Sequence, residues 1–205
     1  MSEHAISQPR DLPIGPTGRV GVGIWGMWTL IATEAALFSY LLFSYFYLGA
    51  QGLSGWLLEP HPSLKYALPS TLVSLVSAAS MALGVRAVRR EQRSAAVLGF
   101  LIACVLGLVF AWLQLADWRA KPFHLGTSSY SSVYFVTSGF DLAHELAGVL
   151  MLALLALWTA LGYFTARRST VVTVTALYWY FVTVIWLAVF ATFYVSPYLG
   201  FGQWH

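Results

Sequence analysis

The sequence has 205 residues, of which 59% are apolar, 16% aromatic and only 9% charged, with a mean hydropathy of +0.71. Soluble domains carry about 25% charged residues, so this composition excludes a disulfide-built secreted scaffold, a disordered tail and a nucleic-acid partner. The net charge of +3 arises from 11 Lys and Arg against 8 Asp and Glu. In so apolar a chain that excess encodes loop topology.

Residues 1–23 form a polar tail with Pro9, Pro13 and Pro16, leading into the first apolar run. A helix needs about 20 mostly apolar residues to cross the hydrocarbon layer. Five stretches meet that length: 24–48, 66–85, 95–116, 133–161 and 171–195. They alternate too weakly for barrel strands, and a helix satisfies every backbone group within itself. The expected fold is all-α and polytopic: five transmembrane helices over 24–196, followed by an aromatic outer tail, 197–205, with Phe201 and Trp204. The first span is expected to be retained, being longer than the apolar core of a cleavable signal.

Lys and Arg counts orient the bundle. Arg10 and Arg19 in the tail, Arg86, Arg89, Arg90 and Arg93 after the second span, and Arg167 and Arg168 after the fourth share one side. Lys65, Arg119 and Lys121 occupy the other. Eight against three places the N-terminus in the cytoplasm and the C-terminus outside.

Ionisable groups within spans need a reason to be there. Glu34 lies ten residues into the first span, about 15 Å deep at 1.5 Å per residue. Its helical neighbours Ile31, Leu37 and Phe38 are apolar, so it is either protonated or paired with another helix or chain. Asp141, His144 and Glu145 stand at i, i+3 and i+4, with Thr137 on the same face. They form either a proton-relay or metal cluster, or a self-neutralising knot that locks this helix to its neighbours. The knot is favoured, because a metal needs three or four converging ligands. Gln114, Asp117 and Trp118 close the third span, where Asp117 and Arg119 read as anchors at the outer interface.

Of five histidines only His144 falls within a span, so bis-histidine haem or three-histidine copper ligation by this chain alone is excluded. Both lysines lie in loops, which excludes a retinal Schiff base. There is no P-loop and no hydrolase-like triad. Cys104, alone in the third span, reads as an inert buried thiol. Small residues recur every four positions as Gly99, Ala103, Gly107 and Ala111 in the third span and Ser70, Ser74, Ala78 and Ala82 in the second. Such ribbons allow close helix approach within the bundle.

Taken in order, the spans resemble five-helix forms of haem–copper oxidase subunit III. The first has Gly26-x-Trp28, then Thr33-Glu34 and Phe38, where Glu34 falls on the family's buried glutamate. Pro69 leads the second, and Gln114-x-x-Asp117-Trp118 is similar to the family's Gln-x-x-Glu-Trp/Tyr. The fourth carries Tyr130 to His144 with Thr137-Ser138-Gly139-Phe140, and the fifth Tyr178-Trp179-Tyr180-Phe181-Val182-Thr183-x-x-Trp186. Family histidines are replaced by Asp141 and Tyr180, its aspartate by Thr183, and an asparagine usual in the second helix is missing. Asp141, Tyr180 and Thr183 are therefore expected to form an altered network between helices four and five.

The resemblance implies a non-catalytic subunit of a proton-pumping terminal oxidase. Haem and copper would reside in subunit I, the main partner. Electrons would arrive from cytochrome c through subunit II, or from quinol, and phospholipids would lie between helices. It also implies a role for Glu34 in proton uptake and stability of the core. Five helices favour a prokaryotic cytoplasmic membrane. Alternatives are the related accessory subunit of a nitric oxide reductase and a small proton-coupled transporter.

Overall fold

The computed structural model describes residues 21–51, 56, 62–165 and 169–200. Nearly all of the polar tail, Arg10 and Arg19 included, lies outside the described residues, as do Arg167, Arg168, Phe201 and Trp204.

Among the described residues five long helices follow one another: α1 (Val22–Ala50), α2 (Leu64–Arg89), α3 (Arg93–Ala120), α4 (Ser129–Ala160) and α5 (Thr170–Phe190). All are long and apolar enough to cross a membrane, and no strand occurs among the described residues. Each begins ahead of its apolar run, since a helix extends into the interface as far as its caps allow. The Ser128 side chain accepts from the Ser131 backbone N–H at 3.1 Å while Ser131 Oγ accepts from the Ser128 N–H at 2.8 Å. That reciprocal box starts α4. At its other end Gly162 takes a left-handed φ of 85°. Its N–H bonds Thr159 O at 3.0 Å and that of Tyr163 bonds Trp158 O at 3.1 Å, satisfying carbonyls that the helix leaves open.

Helices α2, α3, α4 and α5 close a ring, each packing on the next and α5 returning to α2. Helix α1 lies outside the ring on α4 and α5. Its inward stripe is only Met27, Phe38, Tyr45 and Gly49. One core, around Met81, Phe100, Leu152 and Trp179, fills the ring toward the α2–α3 turn. A second, aromatic core gathers Phe38, Tyr45, Phe110, Tyr134, Trp186 and Phe193 toward the other end. There α5 widens into a π turn, Ala191–Val195, which buries Thr192, Phe193 and Tyr194 in succession.

The small-residue ribbon of α3 is buried throughout: Gly99, Ala103, Gly107 and Ala111 all face inward. In α2 the buried line is Ser70, Ser74, Ser77, Met81 and Gly84, leaving Ala78 and Ala82 off it. Steps of four drift by about 40° each on a 3.6-residue helix, so a straight seam must alternate threes and fours. A Cβ on Gly99 would stand 2.9 Å from both Cα and N of Gly84. Here two backbones touch, and no side chain can yield. Gly99→Ala is expected to destabilise the fold by about 1–3 kcal/mol despite alanine's better helix propensity. Gly26→Ala, with nothing within 4 Å, is expected to be neutral or stabilising by up to about 1 kcal/mol. Chemical unfolding in micelles measures both.

Candidate functional site: polar groups buried in the bundle

The first polar group bridges α1 and α4. His144 Nε2 lies 3.0 Å from Glu34 Oε2, and its Nδ1 lies 2.7 Å from the Phe140 carbonyl. A carbonyl only accepts, so Nδ1 carries a proton and donates it. Nε2 is then either an acceptor from a protonated Glu34 or a second donor to an ionised one. In both forms a single proton lies between imidazole and carboxyl. The side chains keep 17% and 25% of their surface exposed, so the pair opens to the outside of the ring. Tyr178 OH donates to the His144 carbonyl at 3.1 Å, and Phe38 sets its ring edge-on at 5.3 Å.

This pairing corrects the favoured reading of a knot within α4. His144 turns outward to Glu34, while Asp141 and Glu145 turn into the ring with Thr137. Asp141 is fully buried, and neither carboxyl oxygen has a hydrogen-bond partner. Thr137 Oγ1 and Gln114 Nε2 are likewise buried and unpartnered. Glu145 Oε1 lies 3.2 Å from the place a Cβ on Gly107 would take, which puts this carboxyl against α3.

The expected Asp141–Tyr180–Thr183 network is not joined by hydrogen bonds. Thr183 Oγ1 donates to Trp179 O of its own helix at 3.0 Å. Tyr180 packs against the core around Met81 and Trp179, within electrostatic reach of Arg86 and Arg89.

Asp117, read as an anchor near the outer interface, is buried within the bundle. It is 3% exposed, and Lys121 Nζ reaches it at 3.0 Å. Tyr134 OH donates to Asp117 Oδ2 at 2.6 Å, and Tyr194 OH donates to the same oxygen. The ammonium stands 5.1 Å from the Tyr134 ring centre and 4.9 Å from that of Tyr194. The charge is thus matched by a carboxylate and by two ring faces. Trp118 continues the lock, its Nε1 donating to Ser138 Oγ at 3.1 Å. Arg119 alone of this segment's charges is exposed. Sequence reasoning missed Lys121, Tyr134 and Tyr194; the i, i+4 spacing of Asp117 and Lys121 was the available signal.

Among the described residues no three His, Cys, Asp or Glu side chains converge as metal ligands. Cys104 is buried, its Sγ 3.7 Å from Val149 O. An apolar groove of about 570 Å³ runs between Trp118, His124, Leu125, Phe135, Val136 and Phe140 on the outer face of α4.

The sequence matches the family model described as cytochrome c oxidase subunit III over residues 17–198. A probable cytochrome c oxidase subunit 3 of Nocardia farcinica is 29% identical over 196 residues, covering 93% of this chain and 91% of that one. The corresponding protein of Mycobacterium tuberculosis is 27% identical over 197 residues with the same coverage. A cytochrome c oxidase subunit 3 of Corynebacterium diphtheriae is 30% identical over 175 residues, 82% of this chain and 85% of that one. With five membrane-spanning helices and a match along nearly its whole length, the chain belongs to the cytochrome c oxidase subunit III family.

Proposed function

We propose that this non-catalytic subunit packs side-on against catalytic subunit I of a haem–copper oxidase and supports its proton uptake through the Glu34–His144 pair. The observation that carries this reading is the 3.0 Å contact between Glu34 Oε2 and His144 Nε2, which joins α4 to a helix outside the ring. A partly exposed pair can exchange a proton with a neighbour, whereas a sealed one cannot. Haem and copper belong to subunit I, and electrons come through subunit II from cytochrome c, the donor in the relatives' names. The eight-to-three Lys and Arg asymmetry supports a cytoplasmic N-terminus in a prokaryotic cytoplasmic membrane. The groove beside Trp118 and Phe140 suits a phospholipid chain.

Glu34→Gln tests the reading. Glutamine keeps the shape and still donates a hydrogen bond to His144, but has no proton to release. The whole oxidase is expected to assemble with its haems intact, to inactivate severalfold sooner during turnover and to pump fewer protons per electron. Unchanged turnover, lifetime and proton stoichiometry together would remove Glu34 from proton supply.

A further inference from the structure

The ring interior holds polar atoms that neither the Glu34 pair nor the Asp117 lock uses. Helices α3 and α4 run antiparallel. Cys104 meets Val149, Gly107 meets Glu145 and Val149, and Trp118 meets Ser138. Gln114, one turn before Trp118, therefore falls opposite the Thr137–Asp141 stretch. Side chains on a helix lean toward its N-terminus, which brings the Asp141 carboxyl over the turn of Thr137.

Thr137 differs from five other helical threonines of this protein. Thr29, Thr71, Thr159, Thr173 and Thr183 each donate to the carbonyl one turn back, but Thr137 Oγ1 makes no such bond. With relative exposures of 1%, 0% and 0%, Gln114, Thr137 and Asp141 are sealed from outside. They offer an amide donor, a hydroxyl that donates and accepts, and two carboxyl oxygens, none with a partner. Buried polar groups left open in this way, several at one level, are where proteins hold internal water.

We propose that Gln114, Thr137 and Asp141 form a buried water site in the α3–α4 seam, and that Asp141 there holds a proton separate from the one shared by Glu34 and His144. A carboxylate stripped of water and without a counter-ion is strongly disfavoured in a membrane interior. Neither ion pair among the described residues involves Asp141 or Glu145. The titratable groups facing the site are Glu145 on α4 and Asp117 one turn along α3 in its pair with Lys121; Tyr178 of α5 stands within electrostatic reach, and His144 and Glu34 pair outside the ring. The neutral acid donates its O–H to water, and water passes the bond to Thr137 or receives one from Gln114. Tyr178 is within electrostatic reach of Glu34, Asp141 and Glu145 and donates to the His144 carbonyl.

Infrared spectroscopy of the purified oxidase carrying this subunit, in ordinary and heavy water, tests the site. Wild type and Glu34→Gln are both expected to show a protonated buried-carboxyl stretch that moves in heavy water and is lost in Asp141→Asn. Thr137→Val is expected to keep the band but shift it to higher frequency, as one hydrogen-bonding partner of the hydrated acid disappears. A spectrum unaltered by Asp141→Asn would show the carboxyl to be ionised and overturn the proposal. So would a Thr137→Val band that stays in place, or a band that responds to sodium or potassium, the sign of a bound cation. If Asp141→Asn fails to assemble, the Thr137→Val shift decides alone. Loss of the band in Glu34→Gln would merge the two proton sites and also refute the inference.

Discussion

Replacing Asp117 with alanine is expected to destabilise the folded subunit by about 3–5 kcal/mol, the usual consequence of removing one partner from a buried ion pair. The Lys121 side chain is only 8% exposed, so without Asp117 its charge is left in a cage of aromatic rings. Tyr134 and Tyr194 lose the oxygen to which both donate. The lock joins the end of α3, the first turns of α4 and the π turn after α5, so all three loosen together. Pairing Asp117→Leu with Lys121→Met should recover most of the loss, because an apolar pair of similar volume needs no counter-charge. Thermal release of this subunit from the detergent-solubilised oxidase measures both. A single variant as stable as wild type would mean that the ion pair carries little of the fold.

Trp179→Ala is expected to destabilise by about 3–5 kcal/mol through the cavity it leaves. Trp179 is 2% exposed and reaches every helix of the ring. A Cβ on Gly107 would stand 2.7 Å from its ring, as would one on Gly148, so both glycines are hollows cut to its shape. Its Nε1 donates to Ser77 Oγ at 3.1 Å, and Ser77 donates to Ala103 O at 2.9 Å. Trp179→Phe retains much of the volume and loses that bond, for about 1 kcal/mol. Chemical unfolding in micelles should rank alanine well below phenylalanine, and equal stability of the two would contradict a filled ring centre.

The five helices were legible because each must by itself span the hydrocarbon layer, a requirement written in apolar length. The α3 ribbon was legible for a similar reason, since close approach needs small residues whichever helix is the partner. Partners across helices were not. Asp141 and Glu145 are about 40° apart around α4, whereas His144 falls about 60° to the other side. Spacing alone allowed all three to share a face, but only the position of α1 outside the ring gives His144 to Glu34. Asp117 and Lys121 were misread because nearness to a helix end suggested water. The loop after α3 and the π turn of α5 instead close over them, and neither is visible in hydropathy. The network expected of Asp141, Tyr180 and Thr183 failed for a different reason. Tyr180 and Thr183 are three residues apart on α5, and the first lies toward the arginines of the α2–α3 turn while the second bonds its own backbone.

Docking on a haem-bearing catalytic subunit is what the proposed function requires. Its most direct test is mild-detergent affinity purification of the full chain from its own membrane, with mass spectrometry and reduced-minus-oxidised spectra of the eluate. Haem bands together with an oxidase subunit I are the predicted result. A haem-free eluate containing this chain alone, as a stable small oligomer, would contradict it.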